Sequence, residues 1–200
     1  MMARSGRPSG APDNRARILA EARDAFGRSG FEGATIRAIA ARAGVDPALV
    51  HHYFGSKQEL FLQAMELPMD VDALIAEVLA AGRSGIGERL VGAILESWSR
   101  PSFRPVVLGV MRSASTDPRA AAILRSMVTE RILGPLTRSL GSPDAELRAA
   151  LAGSQMVGLV LARMVVGIEP LASAPIDLVA RAVGPTIERY LLGELSPSGG

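Results

Sequence analysis

Apolar residues along this chain of 200 residues recur at spacings of three and four, which is the period of one face of an α-helix. The sequence has no sustained alternation of apolar and polar residues and no hairpin dipeptide between β-branched runs, so the signals of β-strands are nearly absent. The pattern therefore predicts an all-α protein.

The first helix is predicted from an apolar stripe between two sets of capping signals. It begins at Asp13 or Asn14 and ends at the glycines within residues 27–30, with Phe31 able to fold back onto it. Two short helices follow.

A fourth helix begins at Ser56. The run from Ser56 to Glu59 has the form of a capping box, in which each of these two side chains accepts from the backbone N–H of the other residue. Beyond it the pattern predicts helices near residues 70–81, 86–99, 103–114, 118–139, 143–167 and 175–192. Gly134-Pro135 and Gly184-Pro185 fall inside two of these helices, so a kink or break is predicted at each.

These signals divide the chain into a small N-terminal module and a larger helical remainder. The predicted bounds are a flexible basic arm at 1–12, a helix-turn-helix module at 13–66, a helical domain at 67–195 and a disordered tail at 196–200. Arg4 and Arg7 in the arm have two interpretations: a solubilising tail, which we favour, or contacts to the minor groove of DNA.

The segment from Thr35 to Tyr53 has the caps and small residues that a tight helix-turn-helix requires. Thr35 caps the first short helix, and Gly44 supplies the left-handed residue at which that helix ends. Asp46 caps the second short helix, and Pro47 fills its first position. Two short helices joined by such a turn can place the second one in the major groove of DNA.

The second short helix has a free face of suitable size for DNA. Val50 and Phe54 lie four residues apart and are predicted to face the core. The side chains left for other faces include Pro47, Ala48, His51 and His52. Small apolar residues allow close approach and contact with thymine methyl groups, while imidazoles can donate to bases or phosphates. We therefore predict that this is the recognition helix.

The motif T-x-x-x-I-A-x-x-A-G-V is followed by a capping residue, a short helix ending in histidine and aromatic positions, and F-x-x-K-x-x-L. This pattern resembles the TetR (TetR/AcrR) family of regulators nearly throughout Thr35 to Leu60, and the first helix also fits. The resemblance implies an N-terminal three-helix DNA-binding module and a larger C-terminal helical domain for ligand binding and dimerisation. We expect a homodimeric repressor that a small, largely apolar effector releases from double-stranded operator DNA.

The resemblance also implies roles for residues that match the motif by position. Thr35 and Tyr53 resemble phosphate contacts, and Lys57 resembles a contact to the DNA backbone. Base-facing positions fall on Arg37, Pro47, Ala48, His51 and His52. His51 stands where tyrosine is more usual, and Asp46 stands where serine is frequent. Lys57 is the only lysine among the 22 lysine and arginine residues, and a compact ammonium suits a phosphate contact.

Composition argues against metal and redox chemistry. The chain has no cysteine and only two histidines, so a disulfide framework is excluded and a metal site is hard to assemble; we expect no metal and no cofactor. It also has no nucleophile elbow and no phosphate-binding loop, so the sequence does not favour an enzyme. A carrier of apolar ligands or a protein-interaction module remains the alternative.

Charge and hydropathy refine this interpretation. Residues 1–66 hold nine basic and seven acidic residues, whereas 67–200 hold thirteen of each, so the net charge of +2 lies in the first third. No apolar stretch of signal-peptide length begins the chain, and we expect a cytoplasmic, nucleoid-associated protein. The apolar segment from Leu147 to Ile168 is interrupted by polar residues, and we expect a bundle helix rather than a membrane span.

The C-terminal helices provide the candidates for effector binding. These are Trp98, Met111, Met127, Gln155 and Arg163. The apolar ones are also typical of a core, whereas Gln155 and Arg163 need polar partners inside an apolar helix, from a ligand, a second subunit or solvent. The helices near 143–167 and 175–192, with Gly153 and Gly158, are predicted to associate as a four-helix dimer interface.

Overall fold

The computed structural model describes residues 13–65 and 70–195, and every regular element within these two ranges is a helix, so the prediction of an all-α protein is confirmed. The helices are α1 Asn14–Gly33, α2 Ile36–Ala43, α3 Pro47–Phe54, α4 Lys57–Ala64, α5 Val71–Ala80, α6 Ile86–Ser99, α7 Arg104–Ser113, α8 Pro118–Arg125, α9 Leu133–Ser139, α10 Ala145–Val160 and α11 Ile176–Leu192. The predicted arm, tail and 66/67 domain boundary lie outside the described residues.

The end of α1 differs from the prediction. The helix is interrupted at Gly30, whose backbone is non-helical at φ 67° and ψ −176°, but a further turn carries it to Gly33. Phe31 folds back as predicted, and its ring packs against Phe26 and Phe61 with centroids 6.1 and 5.2 Å away. This aromatic cluster joins α1 to α4 in the core of the N-terminal module.

Two π-helical segments lengthen the C-terminal helices. One, Ser126–Ile132, joins α8 to α9, so residues 118–139 form one helical run as predicted. We call this run the α8 run. At its end the Leu133 amide donates to the Val128 carbonyl, five residues back, immediately before Gly134-Pro135. The predicted break is absent at this position: the helix changes to a wider turn immediately before a proline that cannot donate a helical hydrogen bond. The second segment, Leu161–Val166, extends α10.

At Gly184-Pro185 the sequence predicts a kink or break, and of these two the break does not occur, because α11 is continuous from Ile176 to Leu192 with Pro185 inside it. Gly184 lies directly on α6, where a Cβ would stand 2.6 Å from the Glu88 amide nitrogen. The glycine thus serves the close approach of α11 to α6 rather than the end of a helix.

A second close approach, which we call the α1–α7 seam, joins the N-terminal module to the C-terminal helices. A Cβ at Gly27 would lie 2.7 Å from the Pro105 carbonyl oxygen and 2.8 Å from its Cα. The buried Ser113 hydroxyl accepts from the Phe31 amide at 2.8 Å, and Arg112 donates to the Gly27 and Arg28 carbonyls at 2.8 and 2.6 Å. The seam therefore combines backbone contact with hydrogen bonds to the C-terminal half of α1.

Arg148, which interrupts the apolar segment in the sequence, is buried at 6% exposure. Its guanidinium donates to the carbonyls of Pro143 at 2.7 Å, and of Tyr190 and Gly193 at 2.9 Å each. The last two lie at the C-terminus of α11, where the helix dipole favours a cation. Arg148 thus fastens the start of α10 to the end of α11.

The helical run Ala145–Val166 is, by length and composition alone, apolar enough to cross a bilayer, with a mean hydropathy of 1.6 over its most apolar 18 residues. Only 33% of its most apolar 18-residue window is buried inside the described chain. Its exposed apolar side chains include Leu147 and Leu161, and Leu178 of the neighbouring α11 is also half exposed. Together these residues leave a partly apolar surface on α10 and α11.

Candidate DNA-binding interface

The turn between α2 and α3 is built by the capping residues that the sequence singles out. The Thr35 hydroxyl accepts from the Ala38 amide at 3.2 Å at the start of α2. Gly44 adopts the left-handed conformation, φ 64° and ψ 38°, at the end of that helix. The Asp46 carboxylate then accepts from the Ala48 amide at 2.7 Å and begins α3. The Thr35 and Asp46 side chains each satisfy a backbone N–H that a helix start leaves free, and Gly44 ends α2 two residues before the cap of α3.

The two faces of α3 divide as predicted. Val50 and Phe54 are 1% and 4% exposed, and they anchor the helix in the core of the N-terminal module. The exposed residues are Pro47, Ala48, His51, His52 and Tyr53. The candidate base-facing side chains of α3 therefore share an accessible surface.

His51 is held by the end of its own helix. Its ring Nδ1 lies 2.9 Å from the Gly55 carbonyl oxygen, and the Gly55 amide donates to the His51 carbonyl at 2.8 Å. His52 packs edge-on to Tyr53, with ring centroids 5.6 Å apart. The two neighbouring histidines thus have different surroundings.

Lys57 begins α4 beside the end of α1. Its Nζ donates to the Glu32 carbonyl at 3.4 Å and stands 4.5 Å from the centroid of the Phe31 ring. The carbonyl and the ring face attract the ammonium, while its further N–H groups can contact a phosphate. The side chain is half-buried beside these two groups.

The capping box at α4 is only half formed. The Ser56 hydroxyl accepts from the Glu59 amide at 3.1 Å, as predicted. The predicted bond from the Ser56 amide to the Glu59 side chain is wrong, because this amide donates instead to the Phe54 carbonyl at 2.8 Å. Glu59 is exposed at the surface of α4.

The cations near this surface differ in their availability. Arg42 donates to Glu21 at 2.7 Å and to Asp24 at 2.5 Å, and the hydrogen bond to Glu21 raises the pKa of Arg42 above its ordinary value. The Arg17 guanidinium donates to the Ala43 carbonyl. The exposed Arg37 guanidinium, in contrast, has no hydrogen bond to any described residue. Arg37 is therefore the cation of α2 that is available to DNA.

The effector candidates lie in several places. Met127 lines a cavity of about 530 Å³ between α4 and the α8 run. Trp98 and Met111 are buried in the core and are absent from the described lining of that cavity. Gln155 is exposed, and the Arg163 guanidinium donates to the carbonyls of Leu171 and Ala174. The structure thus does not bring the five candidates together.

Sequence reasoning missed most of the cavity lining. The described lining is Leu62, Met65, Arg119, Ala122, Ile123, Ser126, Met127 and Arg131. Arg119, Ile123, Met127 and Arg131 follow one another at intervals of four, so their spacing was a signal of one shared helix face. The contribution of α4 depends on tertiary packing and had no local signal. Within the described ranges, no group of three acidic or histidine side chains is arranged to hold a metal ion.

Comparison with known proteins supports one family over most of the chain. Residues 18–64 match the family model for "Bacterial regulatory proteins, tetR family", and residues 84–191 match the model for "Tetracyclin repressor-like, C-terminal domain". The HTH-type transcriptional regulator BetI of Agrobacterium fabrum is 30% identical over 84% of this chain and 82% of BetI. The HTH-type transcriptional repressor AcnR of Corynebacterium glutamicum is 34% identical, and this match spans about half of each protein, 53%.

Solved structures extend the similarity to the whole fold. A TetR-family regulator from Streptomyces coelicolor A3 is 38% identical, with a TM-score of 0.59 over 94% of this chain and 99% of that one. NalD of Pseudomonas aeruginosa, a secondary repressor of the MexAB-OprM multidrug efflux pump, has a TM-score of 0.59 over 90% and 97% of the two chains. At 16% identity NalD shows a shared fold alone. The matched families and relatives are transcriptional regulators rather than enzymes, and the chain belongs to the TetR family of bacterial transcriptional regulators.

Proposed function

We propose that this protein is a homodimeric repressor that binds operator DNA through α3 and is released by a small, largely apolar effector. TetR-family regulators bind operator DNA and act as dimers. The observation that carries the proposal is the exposed face of α3, held by the caps at Thr35, Gly44 and Asp46. In the cell the protein would act in the cytoplasm, at the nucleoid.

The proposed DNA contacts fall into two classes. Thr35, Tyr53 and Lys57 contact phosphates and fix the position of the module on the duplex. The proposed base-facing residues are Arg37, Pro47, Ala48, His51 and His52. Three observations support this division: the exposure of α3, an Arg37 guanidinium that bonds to no described residue, and a Lys57 ammonium placed beside Glu32 and Phe31.

Dimerisation is proposed through the exposed surface of α10 and α11. Leu147, Leu161 and Leu178 are 54%, 40% and 51% exposed, and an exposed apolar surface of this kind is typical of an interface. A Cβ at Gly158 would meet nothing within 4 Å, which leaves room there for a partner helix. Gly153 does not belong to this surface, because it is buried inside the chain against Val128.

Effector binding is proposed in the cavity between α4 and the α8 run. Its volume of about 530 Å³ suits a small ligand, and its walls include the apolar side chains of Leu62, Met65 and Met127. Leu62 belongs to α4, the helix that begins with Lys57. A ligand against Leu62 would bias the position of α4 and hence of the proposed phosphate contact, and by linkage DNA would weaken effector binding equally.

The proposal is tested by binding of the purified protein to its own promoter region at moderate salt, measured by gel shift against random competitor DNA. We expect a selective complex that Arg37→Ala weakens. Arg100→Ala removes an exposed arginine from the connection between α6 and α7, outside both the N-terminal module and the α10–α11 surface, and should leave the complex unchanged. If the wild-type protein binds the promoter region and random DNA equally, the repressor function is refuted.

A further inference from the structure

One nitrogen of the His51 ring has a fixed hydrogen-bond partner. Nδ1 lies 2.9 Å from the Gly55 carbonyl oxygen. A carbonyl oxygen can only accept, so Nδ1 carries the hydrogen in this contact. The Gly55 amide also donates to the His51 carbonyl at 2.8 Å, so the two residues are bonded twice at the end of α3. This pairing orients the ring with Nδ1 toward the Gly55 carbonyl and favours the tautomer that carries its hydrogen on Nδ1.

The opposite nitrogen, Nε2, is therefore an acceptor. A neutral imidazole carries one hydrogen, and Nδ1 holds it. His51 is exposed, and no described residue forms a hydrogen bond with Nε2. Around the helix His51 lies between Pro47 and Ala48, since it follows them by four and three residues. His51, with its unprotonated Nε2, thus belongs to the face of α3 that is proposed to approach the bases.

We infer that His51 reads an exocyclic amino group in the major groove, an inference that rests on the proposed DNA-binding function. Adenine N6 and cytosine N4 are the amino donors there, whereas guanine and thymine present acceptors or a methyl group at the corresponding edges. Phosphate oxygens accept as well, so they do not pair with a bare Nε2. His51 therefore favours adenine or cytosine over guanine or thymine at one position of each half-site.

His52 has no such restriction. Its ring forms no hydrogen bond with a described residue, so either nitrogen can carry the hydrogen. The preference for an amino group is thus specific to the position that is bonded to Gly55. The neighbouring histidine provides a matched control one residue further around the same helix.

The experiment is selection of bound duplexes from a randomised library by the full-length protein in mildly alkaline buffer. His51→Ala removes the imidazole and leaves no hydrogen-bonding side chain at this position. We expect it to retain affinity for random duplexes and to lose the adenine or cytosine preference, by about fivefold for a single hydrogen bond. His51→Lys is a donor only and should shift the preference to guanine. The same substitutions at His52 should leave this position unchanged.

A second measurement uses the wild-type protein and so does not depend on variant folding. The adenine or cytosine at the selected position is replaced by purine or 2-pyrimidinone, which lack the amino group, and an affinity loss of about fivefold is expected. Wild-type selection of guanine or thymine at the position that His51→Ala alters would overturn the inference. So would an unchanged preference in His51→Ala. If the wild-type protein selects no sequence at all, the proposed function itself fails.

Discussion

Substitution of Gly27 by alanine tests whether the α1–α7 seam is a contact between backbones. The added Cβ would lie 2.7 Å from the Pro105 carbonyl oxygen, about 0.7 Å short of ordinary contact near 3.4 Å. Because the obstructing atoms are backbone, they cannot move away by rotation of a side chain. We place the overpacking cost at about 2–3 kcal/mol, in the upper part of the usual range. Alanine recovers about 1 kcal/mol of helix propensity, so the net loss of unfolding free energy is about 1–2 kcal/mol.

A denaturant titration measures the loss of unfolding free energy. In a thermal melt, a decrease in Tm of about 2–8 °C is expected for a chain of this size. Gly92→Ala is the matched control, since Gly92 also lies inside a helix but its Cβ would stand 3.8 Å from that of Ala180, an ordinary contact. The control should gain about 0.5–1 kcal/mol. If both variants gain stability, the seam has the freedom to open and the argument is refuted.

Three further substitutions give distinct outcomes. Ser113→Ala leaves the buried Phe31 amide without its acceptor and should lower the unfolding free energy by about 1–3 kcal/mol; no loss in a urea titration would mean that another group satisfies this amide. Arg148→Met removes the donor shared by the carbonyls at the end of α11 and should cost about 2–3 kcal/mol by the same method, whereas a neutral result would show that water replaces the guanidinium. Lys57→Ala should weaken binding to all DNA sequences alike and reduce the slope of log affinity against log salt by about one; an altered base preference would contradict the phosphate assignment.

The helices of the N-terminal module could be predicted from the sequence because their signals are local. The caps at Thr35, Asp46 and Ser56 each bond an amide two or three residues away, and the left-handed turn at Gly44 is a single-residue property. The missing half of the capping box shows the limit of such reasoning. The Phe54 carbonyl competes successfully for the Ser56 amide, and a four-residue motif does not contain that competitor.

The tertiary contacts could not be predicted in this way. The sequence predicts that Gly27 ends the first helix, but Gly27 lies within α1. A glycine is needed there because a Cβ would collide with the backbone of Pro105, which is far away in the sequence. Arg163 likewise needed a partner, and the sequence could not indicate that the Leu171 and Ala174 carbonyls supply one. Of the cavity, only Met127 was predicted, since the wall from α4 depends on how α4 packs on α8.

The α1–α7 seam has a mechanical consequence. A contact between side chains can adjust to a shift of a few tenths of an ångström by a change of rotamer. The contact of Gly27 with Pro105 is between backbone atoms, so no rotamer change can relieve it. We therefore expect a displacement of α7 to move α1 with it, and α1 packs against α2 and α4 in the core of the N-terminal module. In a dimer, the distance between the two recognition helices is then set by the C-terminal helices, so substitutions far from DNA can change which spacing of half-sites the protein accepts.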